Sequence, residues 1–503
     1  MNNQSAHDLF IPLDTHLTNK NQPKYEVLYE HIKEAICHGR LKRNDKLPSS
    51  RYLSQQMGIS RNSVIAAFDL LIEEGFAESR QGAGTFVAGI IELKPLLGEV
   101  KQNHLSNSVV RISEVAQRIQ TIDDQSSTKP GGLQETTQSL FLPAQPAISD
   151  FPLKEWHAAT ARSLRDQNAY SEQPAMGAQL LRQQISEHLL ITRGVKCCVD
   201  QVMITTGSQQ ALAIALNLLV TQNETVMLEE TGYPGIDGVL TSIGAKQIAL
   251  PTDEYGLCFD ADNAIAQQAH TLILTPSRSF PLGQTLSLKR RLAILDWAYE
   301  TQSWVIEDDY DSEFVFNGHS ISALQGLDTG SRVIYTGTFS RTMFPGIRLG
   351  YMVLPEALID LFKKYKRFVD GGLSGPQQIA MGLFMKEGGY NRHLRRMRKL
   401  YKIRKASLDH LMQQSFPDFT LVPSSGGMHS VYLLNASYCD QRICEKANAN
   451  GLDIRALSAY QRDILHRPVR SGLILGYAGT PVEKMPAGVN KLQKIIKSLS
   501  KNI

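Results

Sequence analysis

The chain has 503 residues, 42% of them hydrophobic and 20% charged, an ordinary globular composition with material for several domains of about 150 residues each. The net charge of +4 is small for this length, so composition neither requires nor excludes nucleic acid, and the placement of charge has to decide. Six cysteines, with no C-x-x-C pair and no metal-like spacing to histidine, argue against a zinc or disulfide framework, and no metal site is expected.

Met1 to Thr18 is mixed polar and lacks the apolar core of a signal peptide. The longest apolar stretch, around Ala211 to Val220, is too short for a bilayer core of about 30 Å. A soluble, cytoplasmic protein without a membrane partner is expected.

Residues 23–88 carry helix signals and basic side chains. Leu28, Ile32, Ala35 and Ile36 form one apolar stripe, followed by Gly39 as a helix stop. Ser49 or Ser50 can cap a short second helix that stops at Gly58. Ser60 caps a third, whose stripe is Val64, Phe68, Leu71 and Ile72 and which ends at Gly75. Two helices joined by a tight glycine-containing turn predict a helix-turn-helix. Phe76 to Val87 then predicts a hairpin turning at Gly82-Ala83-Gly84, the wing. The third helix opens with Ser60, Arg61, Asn62 and Ser63, where a recognition helix meets base edges. Arginine suits guanine, asparagine suits adenine, and serine bonds bases or phosphates. Arg40, Lys42, Arg43, Lys46, Arg51 and Arg80 add local positive charge that the whole-chain balance hides.

The strings Leu47-Pro48-Ser49-Ser50-Arg51, Ser60-Arg61-Asn62-Ser63-Val64 and Gln81-Gly82-Ala83-Gly84-Thr85-Phe86-Val87 resemble the GntR family of bacterial regulators, in order and spacing. The resemblance implies double-stranded DNA as partner and Arg51, Ser60, Arg61, Asn62, Ser63 and Gly82 as contacts. Ile65 departs from an arginine found in some GntR readers.

Residues 89–137 read as a polar, irregular, flexible linker, with turn chemistry at Lys129-Pro130-Gly131-Gly132. Residues 138–503 alternate short apolar strands with helices, which predicts an α/β domain with a mostly parallel, buried sheet. Four segments follow its strands. Thr205-Thr206-Gly207-Ser208-Gln209 opens a helix and can hold an anion on backbone N–H groups. Tyr233 offers an aromatic face. Asp308 and Tyr310 are two apart on an extended segment and so share a side. Ser340, Arg341 and Arg348 suit a phosphate. Loops at the carboxyl edge of such a sheet are where ligands bind.

Together these resemble fold-type I pyridoxal-phosphate (PLP) enzymes, and specifically the aminotransferase-like domain of MocR-type regulators. That subgroup of the GntR family joins the same two modules through a long linker. The resemblance implies PLP as cofactor, with Asp308 on the ring nitrogen, Tyr310 on the ring hydroxyl and Tyr233 over the ring. Ser208, Gln209, Ser340 and Arg348 would hold the phosphate. It also implies a homodimer.

One position departs. Where these domains carry the lysine that joins PLP covalently, this chain has Arg341. An amine must lose its proton to attack an aldehyde, and a guanidinium stays protonated. Arg341 leaves open PLP or a PLP–amine adduct held without a bond, another anionic ligand, an engineered exchange, or an ion pair from Arg341 to Asp308. Arg278-Ser279 replaces a common His-Gln, and Ile474 falls about where many aminotransferases keep a carboxylate-binding arginine. The basic run Arg392 to Lys405 reads as a solvated helix, with a secondary DNA contact as the alternative. The reading that results is a DNA-binding transcription regulator whose large domain senses PLP or a related small-molecule effector without acting as an enzyme. The alternatives are an active aminotransferase carrying a DNA module and an inert dimerising scaffold.

Overall fold

The computed structural model describes residues 23–88, 111–122, 140–316, 321–435, 437–462 and 468–500. The chain divides into two compact units, Met1–Arg111 and Ile112–Ile503.

The first unit contains α1 (Lys24–Cys37), α2 (Ser50–Met57), α3 (Arg61–Glu73) and the strands β1 (Ala77–Arg80) and β2 (Gly84–Val87). Ser49, not Ser50, caps α2: its hydroxyl accepts the Tyr52 N–H at 3.3 Å. The Ser60 hydroxyl accepts the Ser63 N–H at 3.1 Å and starts α3. The apolar stripes meet in one core of Leu28, Ile32, Leu53, Val64, Phe68 and Leu71, closed by Ala77 and Val87 of the hairpin. Arg80 pairs with Gly84 across the turn.

The second unit opens with α4 (Glu114–Gln120), α5 (Leu153–Ser163) and α6 (Gln179–Arg193). The alternation that follows is β3 (Val202–Thr205), α7 (Ser208–Leu219), β4 (Thr225–Glu229), α8 (Pro234–Ile243), β5 (Lys246–Leu250), β6 (Thr252–Asp253), β7 (Gly256–Leu257), α9 (Ala264–Gln268), β8 (Thr271–Leu274) and α10 (Leu288–Glu300). It continues through β9 (Trp304–Asp309), α11 (Leu324–Leu327), β10 (Val333–Thr338), β11 (Gly350–Val353), α12 (Ile359–Asp370), α13 (Gly375–Lys386) and α14 (Gly389–Ser415). A smaller antiparallel sheet is made by β12 (Thr420–Leu421), β13 (His429–Leu433), β14 (Arg455–Ala456) and β15 (Gly472–Gly476), with α15 (Asp440–Asn448) and α16 (Met485–Ser500) beside them.

The main sheet has seven strands in the order β3-β11-β10-β9-β8-β4-β5. The run from β10 through β9, β8 and β4 to β5 is parallel, and β11 is antiparallel to both its neighbours. Strands such as Val202–Thr205 and Thr271–Leu274 are buried on every residue, as a sheet covered by helices on both faces requires. Chain reversal therefore gathers the ends of β3, β4, β8, β9 and β10 along one edge, and antiparallel β11 starts there.

The flexible linker expected over 89–137 needs a correction. Residues 114–120 form α4, capped by Ser113 and in contact with α8. A helix this short is marginal alone in water, so its docking supplies what its length does not. The linker's remaining parts, 89–110 and 123–137, including Lys129-Pro130-Gly131-Gly132, lie outside the described residues. No described helix is long and apolar enough to cross a membrane.

Candidate functional site

In the first unit, Arg51, Ser60, Arg61 and Asn62 are exposed at the starts of α2 and α3, and Ser63 is half-buried beside them. Arg61 Nε donates to Ser50 Oγ at 3.4 Å, which ties the opening residues of the two helices together. Ser60 and Ser63 share a hydrogen bond of 2.8 Å, so capping already engages both hydroxyls. Gly82 sits at the hairpin turn with φ of 74°. Arg80 is spoken for: it bonds Glu78 and Asn44 and lies over the Phe86 ring at 4.5 Å. Ile65 is exposed where charge would otherwise reach out. Toward its other end, α3 forms an acidic groove with α1, lined by Glu26, Glu30, Asp69, Glu73 and Glu74. Charge therefore changes sign along α3, which favours entry of its N-terminal end toward phosphates.

In the second unit the expected residues converge on the carboxyl edge of the main sheet. Gly207 is the N-cap of α7 with φ of 85°, a conformation only glycine adopts freely. The Arg348 guanidinium lies within ordinary contact distance of that position, at 3.7 Å, so the backbone angle and not space selects glycine. Ser208 and Gln209 follow as the first two helical residues, their backbone N–H groups among the donors that a helix start leaves unpaired within the helix. Arg348 holds a left-handed φ of 46°, uncommon for a non-glycine residue, and its Nη2 donates to Thr206 O at 3.0 Å. It arrives there because β11 is antiparallel and begins at this edge. Ser340, just past β10, has a buried hydroxyl with no hydrogen-bond partner.

Asp308 is buried near the end of β9, and its Oδ1 accepts from the Thr336 hydroxyl at 3.0 Å. Burial raises its pKa to about 6, against the pull of Thr336 and Arg341. Tyr310 follows, packed edge-on to Phe280 with ring centroids 5.5 Å apart. Its hydroxyl is buried without an aligned partner, and burial holds its pKa well above the ordinary value. Tyr233 caps α8; burial raises its pKa, while the guanidiniums of Arg341 and Arg348 lower it and Asp308 raises it. Tyr233, Asp308, Arg341 and Arg348 thus share one electrostatic environment.

Arg341 does not bridge to Asp308 among the described ion pairs. Its Nη1 donates to the carbonyl of Ala144 at 2.9 Å, a residue of the same unit between α4 and α5. Ile474 lies fully buried in β15 against Leu282, Val431, Leu457 and Tyr460, an apolar setting with no place for a charged group. In the basic run, Arg404 is buried and paired to Asp150, and Lys405 to Asp409; Arg392, Arg395, Arg396 and Lys399 are exposed.

Several supporting residues escape a reading of the sequence. Arg193, at the end of α6, pairs with buried Asp309 at 2.9 Å, and Tyr335 donates to the same carboxylate at 2.6 Å. Arg193 also reaches Ser277 and Ile321 O. Arg278 lies 3.2 Å from Asp311, a charge contact without an aligned hydrogen bond, and burial still raises Asp311 to about 6. Arg462 holds Asp237 and the carbonyls of Glu229 and Tyr233. Arg193 is 116 residues from Asp309, and no local pattern announces such a pair.

Two family models match the chain: bacterial regulatory proteins of the gntR family over residues 24–87, and aminotransferase class I and II over residues 145–463. The "Probable rhizopine catabolism regulatory protein MocR" of Rhizobium meliloti is 33% identical over 95% of this chain and 94% of its own length. The "HTH-type pyridoxine biosynthesis transcriptional regulator PdxR" of Corynebacterium glutamicum is 29% identical, over 86% of this chain and 88% of its own. Among solved structures, the α-aminoadipate aminotransferase LysN of Thermus thermophilus, complexed with N-(5'-phosphopyridoxyl)-L-leucine, aligns with a TM-score of 0.68 at 25% identity, covering 78% of this chain and 98% of that one. The kynurenine aminotransferase of Pyrococcus horikoshii aligns at 0.66 and 22%, covering 80% and 98%, and shares the fold.

Proposed function

This chain belongs to the MocR-type branch of the GntR family of bacterial transcription regulators, and from that premise we propose that its large domain is a sensor of PLP or a related anionic metabolite that works without covalent catalysis. The observation that supports the reading is the buried Ser340 hydroxyl, which has no hydrogen-bond partner at the sheet edge bearing Asp308, together with the buried Tyr310 hydroxyl, which faces Arg278 without an aligned bond. Leaving a buried hydroxyl unpaired costs about 1–3 kcal/mol, and a ligand that bonds Ser340 would recover that cost.

The residues present fit PLP held by non-covalent contacts. Ser208, Gln209, Ser340 and Arg348 would take the phosphate, on backbone N–H groups, a free hydroxyl and a cation. Asp308 would hold the protonated ring nitrogen, Tyr310 the ring hydroxyl, and Tyr233 the ring face. PLP supplies an electron-withdrawing ring and an aldehyde when bound. Arg341 cannot exploit that aldehyde, because a guanidinium neither bonds to it nor serves as a base at neutral pH. Its charge suits an acidic group on the effector.

The first domain, over 23–88, would bind an operator through Arg51, Ser60, Arg61, Asn62, Ser63 and Gly82, as a homodimer on paired half-sites. Calorimetric titration of the full chain with PLP tests the sensor. Saturable heat that is lost in Tyr310→Phe combined with Ser340→Ala is expected. No heat would rule out PLP as the effector, and amino-group transfer from an amino acid to a keto acid would overturn the sensor reading.

A further inference from the structure

Helix α8 touches the candidate pocket at one end and the linker helix at the other. At its N-terminal end lie Tyr233, the cap, and Gly235, whose carbonyl accepts from Gln209 Nε2 at 3.0 Å. Arg462 grips the same end through Asp237 at 2.5 Å and the Tyr233 carbonyl at 3.3 Å. At the C-terminal end, Arg118 of α4 donates from Nε to the Ser242 carbonyl at 3.1 Å. That carbonyl belongs to the last turn, whose acceptors lack helical partners, and a cation there also complements the helix dipole. The Arg118 guanidinium lies against Gly244, where an added side chain would meet Cζ at 3.3 Å. Ten residues at about 1.5 Å each put roughly 15 Å between the two ends, spanned by one rigid element.

The linker helix is poised to respond. Its seven residues include none that is buried; Ala116 and Arg118 are half-covered, and Val115 and Ile119 are exposed. The Arg118–Glu114 pair, at 3.6 Å, is within the helix itself. Such an element sits at the low-stability end of a fold and changes population under small perturbations. In the chain it follows the DNA reader.

We infer that α8 couples the pocket to the linker: a ligand packed on Tyr233 fixes α8, and fixed α8 holds α4 through the Arg118–Ser242 contact. The inference rests on the pocket assigned above. Coupling free energies are reciprocal, so whatever factor ligand adds to α4 docking, undocking subtracts from ligand affinity.

Amide hydrogen exchange on the full chain reads this directly, at the hydrogen-bonded N–H groups of Gln117, Thr121 and Ile122. Saturating PLP is expected to slow their exchange by on the order of fivefold or more. In Arg118→Ala they exchange fast with or without PLP, PLP affinity falls by the factor of protection lost, and Arg118→Lys restores part of both. Unchanged or faster exchange at these amides while calorimetry shows PLP bound overturns the coupling. If calorimetry shows no PLP bound, the pocket assignment fails by itself, and ligand-free Gln209→Ala decides the coupling. Faster exchange at the same three amides supports it, and unchanged exchange overturns it.

Discussion

Thr336 stands directly across from Asp308 in the parallel pairing of β9 with β10, and its hydroxyl donates to Asp308 Oδ1 at 3.0 Å. Burial pushes the carboxyl up to about 6, and the Thr336 bond and the Arg341 charge oppose that rise. A protonated ring nitrogen needs the ionised carboxylate. As pH falls below about 6, Asp308 gains a proton that binding must expel, so PLP affinity drops by up to about tenfold per pH unit. Thr336→Val removes a bond to the charged form and moves this onset to higher pH, whereas Asp308→Asn abolishes it and weakens binding throughout. Calorimetry from about pH 8 to pH 5 measures all three. A wild-type affinity flat across that range would refute the role of Asp308.

Arg341→Lys should convert the pocket from non-covalent to covalent capture. A lysine amine can be deprotonated in a partly buried site, and a guanidinium cannot. After incubation with PLP and borohydride reduction, the variant is expected to gain the mass of one pyridoxyl phosphate at residue 341. Wild-type protein should return to its bare mass on dialysis. A lysine adduct in the wild type, at any position in the pocket, would sink the sensor-only reading.

Arg193 and Asp309 form a buried pair with both side chains nearly inaccessible. Removing one partner strands the other charge. Arg193→Met should therefore destabilise the large domain by about 3–5 kcal/mol, with Arg193→Lys intermediate. Urea unfolding reports the loss, and a change under about 1 kcal/mol would show that Tyr335 alone satisfies the carboxylate.

Arg61→Ala should relax operator discrimination by about 1–3 kcal/mol while leaving non-specific affinity nearly unchanged. Arg51→Ala, if its partner is phosphate, weakens all sequences alike and lowers the salt dependence by about one counterion. Both are read by gel shift on DNA that the wild-type protein selects from a random pool. Equal losses on specific and random DNA in Arg61→Ala would reassign it to the backbone.

Ser60→Ala separates folding from recognition. The hydroxyl caps α3, and its loss costs about 1 kcal/mol of reader stability. Ser60→Asp keeps the cap and adds a negative charge where DNA approaches, so it should preserve the melting temperature and lose DNA affinity. Retained affinity in Ser60→Asp would leave the residue with capping alone.

Local chemistry carried much of this protein. The caps at Ser49 and Ser60, the stops at Gly58 and Gly75 and the apolar stripes of α1 and α3 are short-range events, and the sequence alone placed them to within a residue. The same holds for the strand ends that deliver Ser208, Asp308, Tyr310 and Ser340, since an apolar run followed by polar residues marks where a buried strand surfaces. The linker misled because α4, although capped by Ser113 and carrying the Glu114–Arg118 pair, is only seven residues long and marginal on its own. It forms against α8, and a surface supplied by another helix leaves no mark on the local pattern.

What the sequence determined by itself is the order of the two modules, the identity of the reader, and the arginine at the position of the reactive lysine. The first follows from residue chemistry and spacing, and the other two from the resemblance of the motifs to the family. Only the tertiary structure decided what each side chain meets. It sends Arg341 to the Ala144 carbonyl and not to Asp308, sets Thr336 beside Asp308 through strand register, and buries Arg193 against Asp309. It also brings Arg118 to the end of α8, 124 residues away in sequence. Pairings of that range depend on how helices and strands pack after they form, and so they become legible only in three dimensions.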